Sequence, residues 1–168
     1  MLHSGNRLDT VGVTKAVVAG AVVLAILNLA PGLLGGWIWY RADPAGQRRA
    51  TSVFWVMLRI GQGSALTLVV AVGSLAAAGN YSSEHLFYLY ALLPLAIAFV
   101  AEQLRVTSAQ AILDQYGLAD AQAVGTLPES EQHTLVAAVV RREVGVMAAS
   151  ALVVVFLALR AAGTAHGF

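Results

Sequence analysis

Four apolar stretches dominate this chain, and the arginines that separate them fall in alternate gaps. A helix needs about 20 mainly apolar residues to cross a bilayer. The stretches cover 16–40, 53–78, 85–106 and 144–162, so each meets that length. The pattern predicts an all-α fold: an integral membrane bundle of four transmembrane helices, one membrane domain over 1–168, with a helical hairpin over 105–142 between the third and fourth spans.

Composition points the same way. Of 168 residues, 58% are hydrophobic and 11% charged, whereas a soluble domain carries about 25% charged residues. A soluble core of this size would leave much apolar surface in water, and a lipid-facing surface removes that conflict. The net charge of +1 gives no electrostatic basis for binding nucleic acid. The chain has no cysteine, which excludes disulfides and thiolate chemistry. Lys15 is the only lysine, and arginine takes its place elsewhere. That usage suggests a GC-rich, bacterial genome and hence the inner (plasma) membrane. Basic residues precede the first stretch, as in a signal peptide. The stretch nevertheless continues through Trp37-Ile38-Trp39-Tyr40 with no A-x-A site after it, so it reads as a retained span.

Arginine placement orients the bundle. The first gap holds Arg41, Arg48 and Arg49, and the third holds Arg105, Arg141 and Arg142. The second gap has no basic residue. The positive-inside rule assigns gaps one and three to the cytoplasm and both termini to the outside. Arg7, Lys15 and Arg160 run against this assignment, but the gap asymmetry is the larger signal. Trp37, Trp39, Tyr40, Phe54 and Trp55 cluster at the arginine-rich end, while Tyr81, Phe87, Tyr88 and Tyr90 cluster at the other. Such aromatic belts mark membrane interfaces.

Local signals refine the elements. Pro31 lacks the N–H of an intrahelical bond and is expected to kink the first span. Asp43-Pro44 is a candidate N-cap and first helical residue for the second helix. The segment RVTSAQAILDQY extends the third helix until Gly117 stops it. Thr126-Leu127-Pro128-Glu129 matches a capping box, after which one continuous helix runs into the fourth span. Glu129 and Glu131 suit the positive end of that helix dipole. Small residues four apart, at Gly32/Gly36, Gly61/Ala65, Gly73/Ala77 and Gly145/Ala149, permit close helix approach.

The candidate site is a charged cluster at the arginine-rich ends of the helices: Arg59, Gln62, Glu102, Gln103, Arg105 and Glu143. Ionisable groups in spans usually face the bundle interior and pair with one another. The expected pairs are Arg59 with Glu102 and Arg105 with Glu143. The cluster reads either as an inner vestibule for an ion or anionic headgroup, or as snorkelling and solvated helix-end charge. Asn28 is the most central polar side chain, one turn before Pro31. It reads as an interhelical hydrogen bond or as part of a site opened by a kink.

Other chemistry finds no support. Beyond the inner cluster the spans offer only Asn28, Ser64, Thr67, Ser74 and Ser150 as polar groups, so no relay of ionisable groups crosses the bilayer. His85 and His133 fall at opposite ends, which excludes a bis-His haem within one chain. Glu129 and His133 share a helix face, but no further metal ligands accompany them. No phosphate-binding loop and no catalytic motif is present. No cofactor is expected. The leading functional reading is a non-enzymatic structural or accessory subunit, with the bilayer and a homo-oligomer or larger membrane complex as its partners. The alternative is a small oligomeric channel or carrier with a charged inner vestibule, and a third class is a lipid- or cofactor-modifying enzyme.

Overall fold

In the computed structural model, residues 4–41 and 47–165 are described, with side chains in the first helix from residue 11 onward. The expected Asp43-Pro44 cap lies outside the described residues. Four helices carry the fold: α1 (Ser4–Arg41), α2 (Arg48–Ala77), α3 (His85–Gln115) and α4 (Glu129–Thr164), with a short 3-10 turn at Ala123–Thr126. No strand occurs among the described residues. Each of the four helices is long and apolar enough to cross a membrane.

The helices form a ring in which α1 packs on α2 and α4, and α3 packs on α4 and more lightly on α2. The diagonal pairs scarcely touch. Neighbours run antiparallel. Asn28 meets Gly61 and Gly35 meets Phe54 across α1 and α2, while Gly32 meets Leu152 and Trp39 meets Gly145 across α1 and α4. α4 is therefore the hub, and it covers both the first and the third helix.

Small residues set these close approaches. A Cβ on Gly35 would lie 2.5 Å from the Phe54 ring and 2.8 Å from the Ala148 Cβ. A Cβ on Gly32 would lie 2.7 Å from Leu152. The four-residue spacings are not equivalent, however. Gly32, Gly61 and Gly145 are contact glycines, whereas Gly36 and Gly73 face open space.

Three buried apolar clusters stack along the bundle. One, toward the arginine-poor end, is built largely from Ala21, Ala25, Ala65, Ala91, Ala158 and Ala161 with Leu24, Phe87 and Val154. A second, toward the arginine-rich end, gathers Ile38, Phe54, Leu58, Val144 and Met147. The third, Ile112, Leu113 and Leu135, joins the extended ends of α3 and α4 beyond the ring. Outward-facing Ile26, Leu33, Val56, Phe99 and Phe156 are apolar and exposed. The bundle thus presents an apolar exterior around a core rich in alanine.

Helix ends follow local chemistry. α2 and α3 both stop in Schellman turns with glycine in the left-handed region, Gly79 at φ 85° and Gly117 at φ 71°. In the second of these, the Leu118 N–H donates to the Leu113 carbonyl while both side chains join the third cluster. The expected capping box does not form. α4 begins at Glu129 after Pro128, with no side-chain cap. The Thr126 hydroxyl instead donates to the Ala123 carbonyl and closes the 3-10 turn. Proline at the position before the helix sets an extended backbone (φ −55°, ψ 145°), which separates Thr126 from the α4 amides. Glu129 and Glu131 do occupy the first turn of α4. α1 is helical through Pro31 and α3 through Pro94, with both prolines buried.

Candidate functional site

Arg59 and Gln62 lie three residues apart on α2, and Glu102 and Arg105 lie three apart on α3. Each pair therefore shares a helix face. The α2–α3 seam brings the two faces together. Arg59 Nη1 donates to Glu102 Oε1 at 2.5 Å and to Gln62 Oε1 at 2.6 Å. Gln62 Nε2 donates in turn to Glu102 Oε1 at 3.1 Å. Arg105 Nε lies 3.1 Å from Glu102 Oε2, with its N–H not aimed at the oxygen, so this contact is charge pairing rather than a hydrogen bond. The Arg105 guanidinium also stacks over Trp55, 5.3 Å from the ring centroid. One carboxylate thus holds two guanidinium groups and an amide across the more lightly packed of the ring's seams.

The expected Arg59–Glu102 pair forms, but Arg105 pairs with Glu102 rather than Glu143. Glu102 sits one turn away on the same helix, and Trp55 holds the guanidinium on the α2 side. Glu143 is half-buried on α4 and feels the charges of both Arg105 and Glu102, without an ion pair to Arg105 among the described residues. Gln103 stands outside the cluster. It follows Glu102 by about 100° around the helix and is exposed, its backbone carbonyl accepting from Thr107. The contribution of Trp55 was missed in the sequence. Its spacing of four residues from Arg59 was the available signal, because that places it on the same α2 face.

Asn28 is 3% exposed and lies on α1 against α2. Its Nδ2 donates to the Leu24 carbonyl at 2.9 Å and reaches the Gly61 carbonyl at 3.4 Å. Gly61 allows this approach, since a Cβ there would lie 2.8 Å from Asn28 Oδ1. The amide divides the two apolar clusters at the level where Gln62 joins the charged cluster. The hydroxyls of Ser64, Thr67, Ser74 and Ser150 donate to carbonyls of their own helix. Such back-bonding satisfies a polar group that faces an apolar medium.

Arginine–aromatic stacking marks the two ends of the bundle. At the arginine-rich end Arg41 covers Trp37, Arg105 covers Trp55 and Arg141 covers Trp39. Arg141 Nε also donates to the Trp39 carbonyl at 3.2 Å. At the other end Arg160 covers Tyr90. His133 and Glu129 approach to 3.8 Å on an exposed face of α4, and no group of three metal-ligating side chains occurs among the described residues. No family model, curated protein or solved structure matches the chain.

Proposed function

We propose that this chain is a non-enzymatic subunit of the bacterial inner membrane, built to pack against other membrane-embedded helices rather than to turn over a substrate. One observation carries this reading: the side chains of Arg59, Gln62, Glu102, Asn28, Ser64, Thr67, Ser74 and Ser150 bond within their own helix or to a neighbouring helix. Glu102 is held by Arg59, Gln62 and Arg105, and Asn28 by Leu24 and Gly61. Groups engaged in this way tie helices together and offer no chain of donors for a moving ion. In this reading the arginine-rich end lies in the cytoplasm by the positive-inside rule. The joined ends of α3 and α4 project there as a helical hairpin, and both termini lie outside. Gentle extraction and sizing would test the assignment. The expected particle is larger than one chain plus its detergent, as a homo-oligomer or with co-purifying subunits. A lone monomer that co-purifies with nothing would overturn it.

The channel or carrier reading retains one supporting observation. The Arg59 side chain is 53% exposed, so the charged cluster opens outward on the α2–α3 seam, where a second protomer would enclose it. That reading expects ion flux in proteoliposomes that falls in Arg59→Ala and Glu102→Ala. Flux absent in the wild type, or unchanged in both variants, favours the subunit reading.

A further inference from the structure

The α1–α4 seam opens on its outer side into a groove of about 500 Å³. Its floor is made of Gly36, Ala148 and Ala149, with Gly145 beneath the Trp39 ring and Leu152 at the far end. A Cβ built on Gly36 would meet nothing within 4 Å, so the groove is open there rather than filled by a neighbouring side chain. At its mouth stand Trp39 and Arg142. Arg142 and Leu152 lie ten residues apart on α4, roughly 15 Å along the axis at 1.5 Å per residue. That is half of a hydrocarbon core about 30 Å thick, the depth of one leaflet.

The charge at the mouth is unmatched. Arg142 is exposed, and no carboxylate pairs with it among the described residues. Arg141 is engaged by the carbonyl and ring of Trp39, which fixes the Trp39 side chain as one wall of the mouth. Arg41, the last residue of α1, adds a second cation at the same end of the bundle. An occupant complementary to this shape has an apolar tail one leaflet long and a negative head at the interface.

We propose that the groove binds an anionic phospholipid, with its phosphate on Arg142 and one acyl chain lying over Gly36 and Ala149. A second copy docked here about a two-fold axis would add another Arg142 cation to the same interface, where no carboxylate lines the groove. The lipid instead neutralises the arginine and fills the groove. The site rests on the reading of the chain as a multi-pass membrane protein, so insertion is checked first by carbonate extraction of membranes. Release by carbonate would overturn that reading and the site together.

For the inserted protein, native mass spectrometry after exchange into equal mixtures of phosphatidylglycerol and phosphatidylcholine reads retained lipid directly. The wild type is expected to retain phosphatidylglycerol preferentially. Arg142→Ala should lower that preference about five-fold, the contribution of one basic residue near an anionic surface. Gly36→Leu, which fills open space without displacing a packed neighbour, should remove retention of both lipids. Arg49→Ala, an exposed arginine at the same end but outside the groove, should leave retention unchanged. Equal retention of both lipids by the inserted wild type would overturn the site alone. So would an unaltered preference in Arg142→Ala, or a dimer that Gly36→Leu disrupts without any change in lipid.

Discussion

Glu102 carries the largest share of the polar organisation, because a single carboxylate compensates two guanidinium groups on different helices. Glu102→Ala leaves Arg59 and Arg105 without their counter-charge and Gln62 without its acceptor. A loss of about 1–3 kcal/mol is expected, the scale of removing one partner from a charged hydrogen-bond set. Arg59→Ala is expected to cost less, about 0.2–1 kcal/mol, because Arg105 still pairs with Glu102 and the Arg59 side chain is 53% exposed. Unfolding midpoints in detergent would check the order of the two. A Glu102→Ala protein as stable as the wild type would contradict the role given to the cluster. At Asn28 the expected effect is smaller. Asn28→Leu should cost about 1 kcal/mol or less in the same assay, because polar bonds between apolar helices contribute little net stability.

For the helices, the decisive question is which small residues touch a neighbour. Gly35 sits against the Phe54 ring and the Ala148 Cβ, so Gly35→Ala overpacks a rigid contact and should cost about 1–3 kcal/mol. Gly73 has nothing within 4 Å of its Cβ position. Gly73→Ala should therefore stabilise α2 by up to about 1 kcal/mol, the glycine-to-alanine difference in a helix interior. A thermal unfolding comparison separates the two, and equal effects would mean that the α1–α2–α4 packing described here is wrong. The four-residue spacing treats Gly32/Gly36 and Gly73/Ala77 alike, since it reports a helix face without saying what that face meets. Gly35, outside any of those spacings, has the tightest surroundings.

On the scale of the whole molecule, the ring order makes α4 the shared partner of α1 and α3. The absence of cysteine allows a clean test. Cysteines at Gly32 and Leu152 should cross-link within one chain on oxidation, because a Cβ on Gly32 would lie 3.5 Å from the Leu152 backbone nitrogen. Cysteines at Gly32 and Ala98, on the diagonal helices α1 and α3, should not. The readout is gel mobility of the monomer before and after reduction, and the reverse result would require a different ring.

Much of this arrangement was present in the chain alone. Helix number and the four apolar stretches follow from apolar run length, because length against bilayer thickness is a one-dimensional property. The stop at Gly117 follows from backbone sterics at one residue. The Arg59–Glu102 pair was legible too, since two opposite charges at similar depth in an apolar medium have few other partners. Two features were decided only by the tertiary fold. Arg105 could reach Glu102 or Glu143, and the Trp55 ring together with the nearer on-helix carboxylate settled the choice. The open groove at Gly36 and the closed contact at Gly35 are adjacent in sequence, and they differ because Phe54 of α2 and Ala148 of α4 close on Gly35 and leave Gly36 bare. Run length and local sterics act along the chain, whereas pairing choice and groove shape depend on which helices become neighbours.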